Sequence, residues 1–247
     1  MKQDHHILLL AGSFEARSMA QALASRGIRY TAWLSEAPRG AAPMPQVPVL
    51  RRFEDASQMQ EQVAQGGFTS VLDASHAFDR NVTQQGFAAA CALGLPYLRL
   101  ERPLWNVAEN ARWQRAADVA TANTMIPAGA RVFCATGWDS LERYARFAGE
   151  VLMLRQTRRH ERAAPYPFVE LVFGDPPFDV AAEKALFSAL RVDLLICRNL
   201  GGLASRPKLD AAAALGLDVI LIDRPATPAN IAAVAQVEEA LAWVSSL

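Results

Sequence analysis

The sequence is poor in cysteine, histidine and lysine and has no long apolar run, and each shortage removes a class of protein. Cys91, Cys134 and Cys197 are odd in number and far apart. Set in apolar runs, they read as buried small hydrophobes in a reducing compartment rather than as disulfides or a metal cluster. There are 4 histidines, with no H-E-x-x-H and no C-x-x-C, so no metal is expected. No apolar stretch approaches the ~18 residues of a membrane span, and the N-terminus lacks an apolar segment followed by a small-residue cleavage site. The expectation is a soluble, cytoplasmic protein with no membrane partner. A formal net charge of zero gives no long-range field toward nucleic acid. Among the basic residues, Lys2, Lys184 and Lys208 are the lysines and the rest are arginine. Arginine grips carboxylates and phosphates through a planar fork, although an arginine-biased genome produces the same composition.

What is present is a regular alternation. With 247 residues, 51% of them hydrophobic, the chain can bury one large core or two small ones. β-rich apolar runs at 6–11, 29–34, 69–73, 96–100, 130–135, 151–155, 168–173, 193–197 and 218–222 alternate with helical stretches at 14–25, 55–65, 80–93, 139–148, 179–190, 207–215 and 228–244. This order predicts parallel sheets flanked by helices, an α/β class. Gly27, Gly94 and Gly216 follow helices at C′ positions, and Pro228 stands near a first helical turn. The alternation restarts at "RVFCATGWDSLERYARF" (131–147), and "ADVATANTMIPAG" (117–129) reads as a linker. Two Rossmann-like domains, 1–127 and 128–247, with a ligand cleft between them are therefore expected, one continuous sheet being the alternative.

In such sheets ligands bind beyond the carboxyl ends of the strands. The residues there read "AGSFEAR" (11–17), "DASHAF" (73–78), "RLERP" (99–103), "ATGW" (135–138), "FGDPPF" (173–178), "CRNLGG" (197–202) and "IDRP" (222–225). So many arginines at one edge point to an anionic ligand. The first turn has a single glycine, Gly12, instead of G-x-G-x-x-G. Ser13 can cap the following helix, whose free N–H groups and dipole suit a phosphate, and Arg17 lies one turn on. Alternatively Ser13 is a plain cap and Arg17 pairs with an acid. His76 is at a strand end, where it is either catalytic or structural; adjacent Ser75 and His76 without G-x-S-x-G do not make a hydrolase. Asn199, Gly201 and Gly202 let backbone approach a ligand. "RQTRRHER" (155–162) holds four arginines, as a solvated loop or as a wall for a polyanion.

Together "LLLAGSFEAR", "VLDASHAF", "PYLRLERPLW", "RNLGG" and "KLDAAAALGLDVILIDRP" resemble, in order, the precorrin-6A reductase family of cobalamin biosynthesis, over about residues 7–228. The family shows G-G-T-x-E-A-R, D-A-T-H-P-F, L-R-x-E-R-P and K-N-S-G-G at these places. The resemblance implies NADPH as cofactor, a tetrapyrrole substrate, and reduction of precorrin-6A to precorrin-6B without the three-glycine fingerprint. Carried over, Gly12, Ser13, Glu15, Ala16, Arg17, Arg39, Asp73 and Ser75 would hold the cofactor, with Arg39 in the loop after the second strand. Arg99, Arg102, Asn199, Gly201, Gly202, Lys208 and Arg224 would hold the substrate, and His76 is a candidate proton donor, with bound water the other. The first domain would be the cofactor side and the second the substrate side. Several positions depart from the pattern. Ala11 and Ser13 replace glycine and threonine, Ala77 proline, Arg198 and Leu200 lysine and serine, Trp138 an arginine, and Arg51 and Arg52 stand where glycines are usual. Glu36 and Arg39 in one loop favour opposite cofactors, NADH and NADPH. The rivals are the cobalt-containing substrate of the anaerobic route, a non-catalytic dinucleotide- or metabolite-binding module, and a sugar-nucleotide transferase. The oligomeric state is left open, a monomer being compatible with the sequence.

Overall fold

The computed structural model describes residues 5–37 and 43–247. The chain first runs β1 (His6–Ala11), α1 (Phe14–Ser25), β2 (Arg29–Leu34), β3 (Val49–Leu50), α2 (Ala56–Gln65), β4 (Ser70–Ala74), α3 (Arg80–Ala92) and β5 (Tyr97–Leu100). It continues through β6 (Trp113–Ala116), α4 (Val119–Thr124), β7 (Arg131–Ala135), a 3₁₀ turn (Trp138–Tyr144), β8 (Val151–Gln156), β9 (Val169–Phe173), α5 (Val180–Ala189), β10 (Leu194–Arg198), α6 (Pro207–Leu215) and β11 (Asp218–Ile222). It closes with β12 (Ala233–Val234) and α7 (Val237–Ser246). Two all-parallel sheets result, β12-β5-β4-β1-β2-β3 and β6-β11-β10-β7-β8-β9. These are the two Rossmann-like layers that the alternation predicts. No helix of the described residues is long and apolar enough to cross a membrane.

The compact units are not the two halves of the chain. One comprises 1–103 together with 225–247, the other 104–224, whereas the sequence suggested a boundary at 127/128. The supposed linker, 117–129, lies inside the second unit. It contains α4, started by Asp118, whose Oδ1 accepts from the Thr121 N–H at 2.7 Å, and buries Ala122 and Asn123. The helix expected over 228–244 is likewise broken. Residues 232–234 instead pair with the open edge of β5, the Arg99 N–H donating to the Ala232 carbonyl (2.9 Å) and the Glu101 N–H to that of Val234 (2.8 Å). An unpaired edge of polar backbone is the stronger demand. Pro228 accordingly sits in a turn, its carbonyl accepting from the Ile231 N–H. The helix starts only at Val237, where the Glu239 carboxylate accepts from the Ala235 and Gln236 N–H groups.

Burial follows the two-residue repeat of each strand. In β1, Ile7 and Leu9 pack with Met19, Leu23, Ala240 and Val244 of α1 and α7, while Leu8 and Leu10 pack with Met59, Val63, Ala89 and Ala90 of α2 and α3. Gly86 in α3 permits that second contact, since a Cβ there would lie 2.6 Å from Leu10 Cδ1. In the second unit Phe133, Leu195, Cys197 and Leu221 meet Phe187, Leu209 and Ala212 of α5 and α6. Gly27, Gly94 and Gly216 end helices with φ of +65, +65 and +67°, as their C′ places imply. Cys134 and Cys197 are buried, but Cys91, on the outer side of α3, is exposed.

Because α7 completes the core of the first unit, Ala240→Glu should destabilise it by roughly 2–4 kcal/mol, the cost of an unpaired buried carboxylate. Thermal melting would check this. An unchanged melting temperature would detach α7 from that core.

Candidate functional site

At the carboxyl edge of the first sheet two loops are locked together. The Ser13 hydroxyl accepts from the Ala16 N–H (3.1 Å) and donates to the Ala74 carbonyl (2.8 Å), so it both caps α1 and ties it to the end of β4. Ser13 is thus a cap, and its hydroxyl is committed to protein. A Cβ on Gly12 would lie 2.7 Å from the His76 backbone nitrogen. The single glycine of this turn is required for backbone to pass against backbone. The other first-turn N–H groups of α1 have no intrahelical acceptor, and with the positive end of the helix dipole they suit a phosphate. Glu15 in that turn forms an ion pair with Arg102 at 3.1 Å, without hydrogen-bond alignment. Burial lowers the Arg102 pKa, and Glu15 opposes that shift. Ala16 is buried, and Arg17 is half-buried on α1.

The second loop hangs from Asp73, which has no solvent exposure. Oδ1 accepts from the Ser75 N–H at 2.9 Å. Oδ2 accepts from Thr83 Oγ1 (2.8 Å), Tyr97 Oη (2.8 Å) and Arg99 Nη1 (2.5 Å). Arg99 also meets Thr83, and Glu101 lies 3.6 Å from its Nε. Burial works against the Arg99 charge, but Asp73 and Glu101 outweigh it and raise its pKa. Burial, then the Asp73 charge, push the Tyr97 phenol well above its ordinary value, so Tyr97 stays a donor. Asp73 and Arg99 therefore hold the loop from behind rather than facing solvent. Within the loop, His76 is half-buried. Its Nδ1 accepts from the Phe78 N–H at 3.2 Å, which leaves Nε2 as the nitrogen carrying the proton in the neutral ring. Arg39 lies outside the described residues.

In the second unit the "RNLGG" residues gather around Trp105. Asn199 is buried, and its amide mimics a strand: Oδ1 accepts from the Trp105 N–H (3.0 Å) and Nδ2 donates to the Trp105 carbonyl (2.9 Å). The indole Nε1 donates to the Gly202 carbonyl (2.9 Å). Gly201 and Gly202 both have positive φ, +68 and +69°, a conformation costly for any other residue. The Lys208 ammonium lies 5.8 Å from the Trp105 ring centroid and donates to the Ser205 carbonyl. Arg224, half-buried, follows the strand end where Asp223 receives Arg115 bidentately (2.9 and 3.0 Å).

The arginine-rich stretch is not a solvated loop throughout. The Arg155 side chain, 8% exposed, lies between Phe133 (5.0 Å) and Phe178 (4.2 Å) and is paired with buried Glu183 at 2.8 Å. Arg162 lies over Trp138 (4.6 Å) and Arg159 over Phe173 (5.9 Å), with His160 edge-on to both rings. Under the adjoining "ATGW" turn Cys134, Thr136, Ser140 and Tyr144 form a buried hydrogen-bonded cluster. The helix expected over 139–148 is a 3₁₀ turn there. The Cys197 thiol nearby is pushed up to about 11, chiefly by burial, and is inert.

A family model described as Precorrin-6x reductase CbiJ/CobK matches residues 6–245. The chain belongs to the precorrin-6x reductase family. It is 34% identical to Precorrin-6A reductase of Rhodococcus erythropolis over 98% of each chain. It is 32% identical to Precorrin-6A reductase of Rhodobacter capsulatus over 97% of this chain and 95% of that one. A Cobalt-precorrin-6A reductase of Priestia megaterium is 26% identical, covering 89% and 90%. The solved structure of CobK precorrin-6A reductase matches with a TM-score of 0.90 at 29% identity, covering 98% of this chain and 96% of that one.

For this member of the precorrin-6x reductases, motif reading missed Thr83, Tyr97 and Trp105. Tyr97 had a signal: it lies two residues before Arg99 on β5, hence on the same face, and Arg99 registers with Asp73 on β4. Two predictions follow from the loop contacts. Tyr97→Phe should cost about 1–2 kcal/mol in urea unfolding, the loss of one donor to a buried carboxylate. Gly12→Ala should displace the His76 backbone, read as a changed His76 imidazole resonance in NMR, and weaken cofactor binding; an unshifted resonance would deny the contact.

Proposed function

We propose that this chain reduces precorrin-6A to precorrin-6B with NADPH, on the metal-free macrocycle and in the cytoplasm. The observation that carries the reading is the identity of 34% and 32%, over nearly the whole chain, to proteins named Precorrin-6A reductase, against 26% to the relative named for the cobalt form. The first unit takes the cofactor and 104–224 the substrate. When bound, the reduced nicotinamide supplies hydride, and the protein supplies position, exclusion of water and a proton.

The residues divide accordingly. The first-turn N–H groups of α1 that the Ser13 cap leaves over, beside Gly12, receive the pyrophosphate, and Arg17 stands one turn further to meet the same charge. Glu15 holds Arg102, while Asp73, Arg99 and Ser75 fix the loop that carries His76. His76, as the imidazolium with its Nδ1 bond from Phe78 given up, delivers the Nε2 proton to the carbon beside the one that receives hydride and returns to the neutral ring. In the second unit Asn199, Gly201 and Gly202 shape the edge for the tetrapyrrole, and Lys208 and Arg224 meet its acetate and propionate arms.

The test is anaerobic cofactor oxidation with precorrin-6A and with its cobalt complex, each with NADPH and NADH. Turnover of the metal-free substrate with NADPH is expected. Preference for the cobalt complex would move the chain to the anaerobic route, and binding without turnover of either would make it a binding module. His76→Ala should lower kcat by about 10²-fold or more, as for a general acid, while leaving NADPH affinity in place. A mutant of full speed would assign the proton to water.

A further inference from the structure

We propose that Arg52, with Arg51 beside it, reads the 2′-phosphate of NADPH and so sets cofactor choice; the inference rests on the NADPH reading above and deepens it. Parallel registers place Ala11 of β1, Leu34 of β2 and Leu50 of β3 in one row. The residues that follow them, Gly12, Ser35 and Arg51, leave the sheet side by side at its carboxyl edge. In βαβ dinucleotide folds the pyrophosphate sits at the turn after the first strand, and the ribose 2′ position is read just past the second. Here β3 adds one strand beyond, so Arg51 and Arg52 stand two strand spacings, about 10 Å, from the Gly12 turn.

Local contacts fix this corner. The Arg51 N–H donates to the Leu34 carbonyl at 2.8 Å. Arg52 Nε donates to the Ser35 carbonyl at 2.9 Å, which places the guanidinium against the end of β2. Ser35 is itself held, its hydroxyl donating to Asp79 Oδ2 at 2.6 Å. Asp79 in turn caps α3, accepting from the Val82 N–H. Both arginines are exposed, and among the described residues neither guanidinium is paired with a carboxylate. Arg52 is thus anchored by one nitrogen and keeps its two terminal nitrogens for an acceptor, the geometry in which a guanidinium grips phosphate in a forked pair. Glu36 is the competing group on this rim. A carboxylate there suits the 2′-hydroxyl of NADH and repels the phosphate, so the two readings predict opposite preferences.

Isothermal titration calorimetry separates them without turnover, with NADPH, NADH, adenosine 2′,5′-bisphosphate and AMP as ligands. The variants are Arg51→Ala, Arg52→Gln and the two combined; glutamine can still donate to the Ser35 carbonyl but carries no charge. Arg52→Gln should weaken NADPH and the bisphosphate about 10-fold, with a shallower salt dependence, and leave NADH and AMP unchanged. If wild type prefers NADPH and the double variant keeps that preference, the inference falls and the NADPH reading stands. Equal weakening of all four ligands would reduce Arg52 to a support for the Ser35 loop and also overturn it. A wild type that does not distinguish NADPH from NADH would refute the NADPH reading itself.

Discussion

A buried negative charge organises the first unit. Asp73 lies at the end of a central strand with no access to water, a position an ion tolerates only when donors replace its hydration. Arg99 from the next strand, Tyr97 two residues before it, Thr83 from α3 and the Ser75 backbone supply them. Removing one partner of such a pair costs about 3–5 kcal/mol, because the other is left uncompensated. The four donors come from β5, α3 and the loop after β4, so satisfying one carboxylate sets the register of β4 against β5, the place of α3 and the start of the loop that bears His76.

That loop then dictates the turn after β1. Gly12 is required by geometry alone: the His76 backbone occupies the space that any side chain there would need. The second unit solves the same problem with a neutral group. Asn199 presents its amide to both backbone groups of Trp105, and the indole closes on the Gly202 carbonyl. In both units the loops at the carboxyl edge are fixed by polar groups that are themselves buried, which is how a site is held to a fraction of an ångström without rigid secondary structure of its own.

Much of the fold was legible in the sequence because the central strands, such as β1 and β10, are buried on both faces and so read as nearly unbroken apolar runs. β1, β2 and β11 begin and end at the residues that the runs imply. The short edge strands were not legible. β3 and β12 contribute two residues each, and their pairing is decided by what lies beside them, not by their own composition. For the same reason the boundary between units was misplaced: the alternation of strand and helix is the same on both sides of every crossing, and the return at Pro225 to the first unit carries no local signal. In the site, Gly12, Ser13 and Asp73 stood out by type and position, but their roles did not. Asp73 and Arg99 attract attention as charges at strand ends, whereas the register that presses them together is a tertiary fact. Arg155 resembled its exposed neighbours in sequence, and only the positions of Phe133, Phe178 and Glu183 set its side chain apart.

The return of the last residues to the first sheet has a consequence for synthesis on the ribosome. Domains ordinarily complete in the order in which they are made. Here residues 104–224 are contiguous and need no strand from outside their own stretch to close their sheet. The N-terminal sheet must wait with an open β5 edge and an uncovered face until β12 and α7 emerge. The unit begun first is therefore finished last, and a chain released early by a premature stop would carry a complete second unit beside an adhesive, unfinished first one.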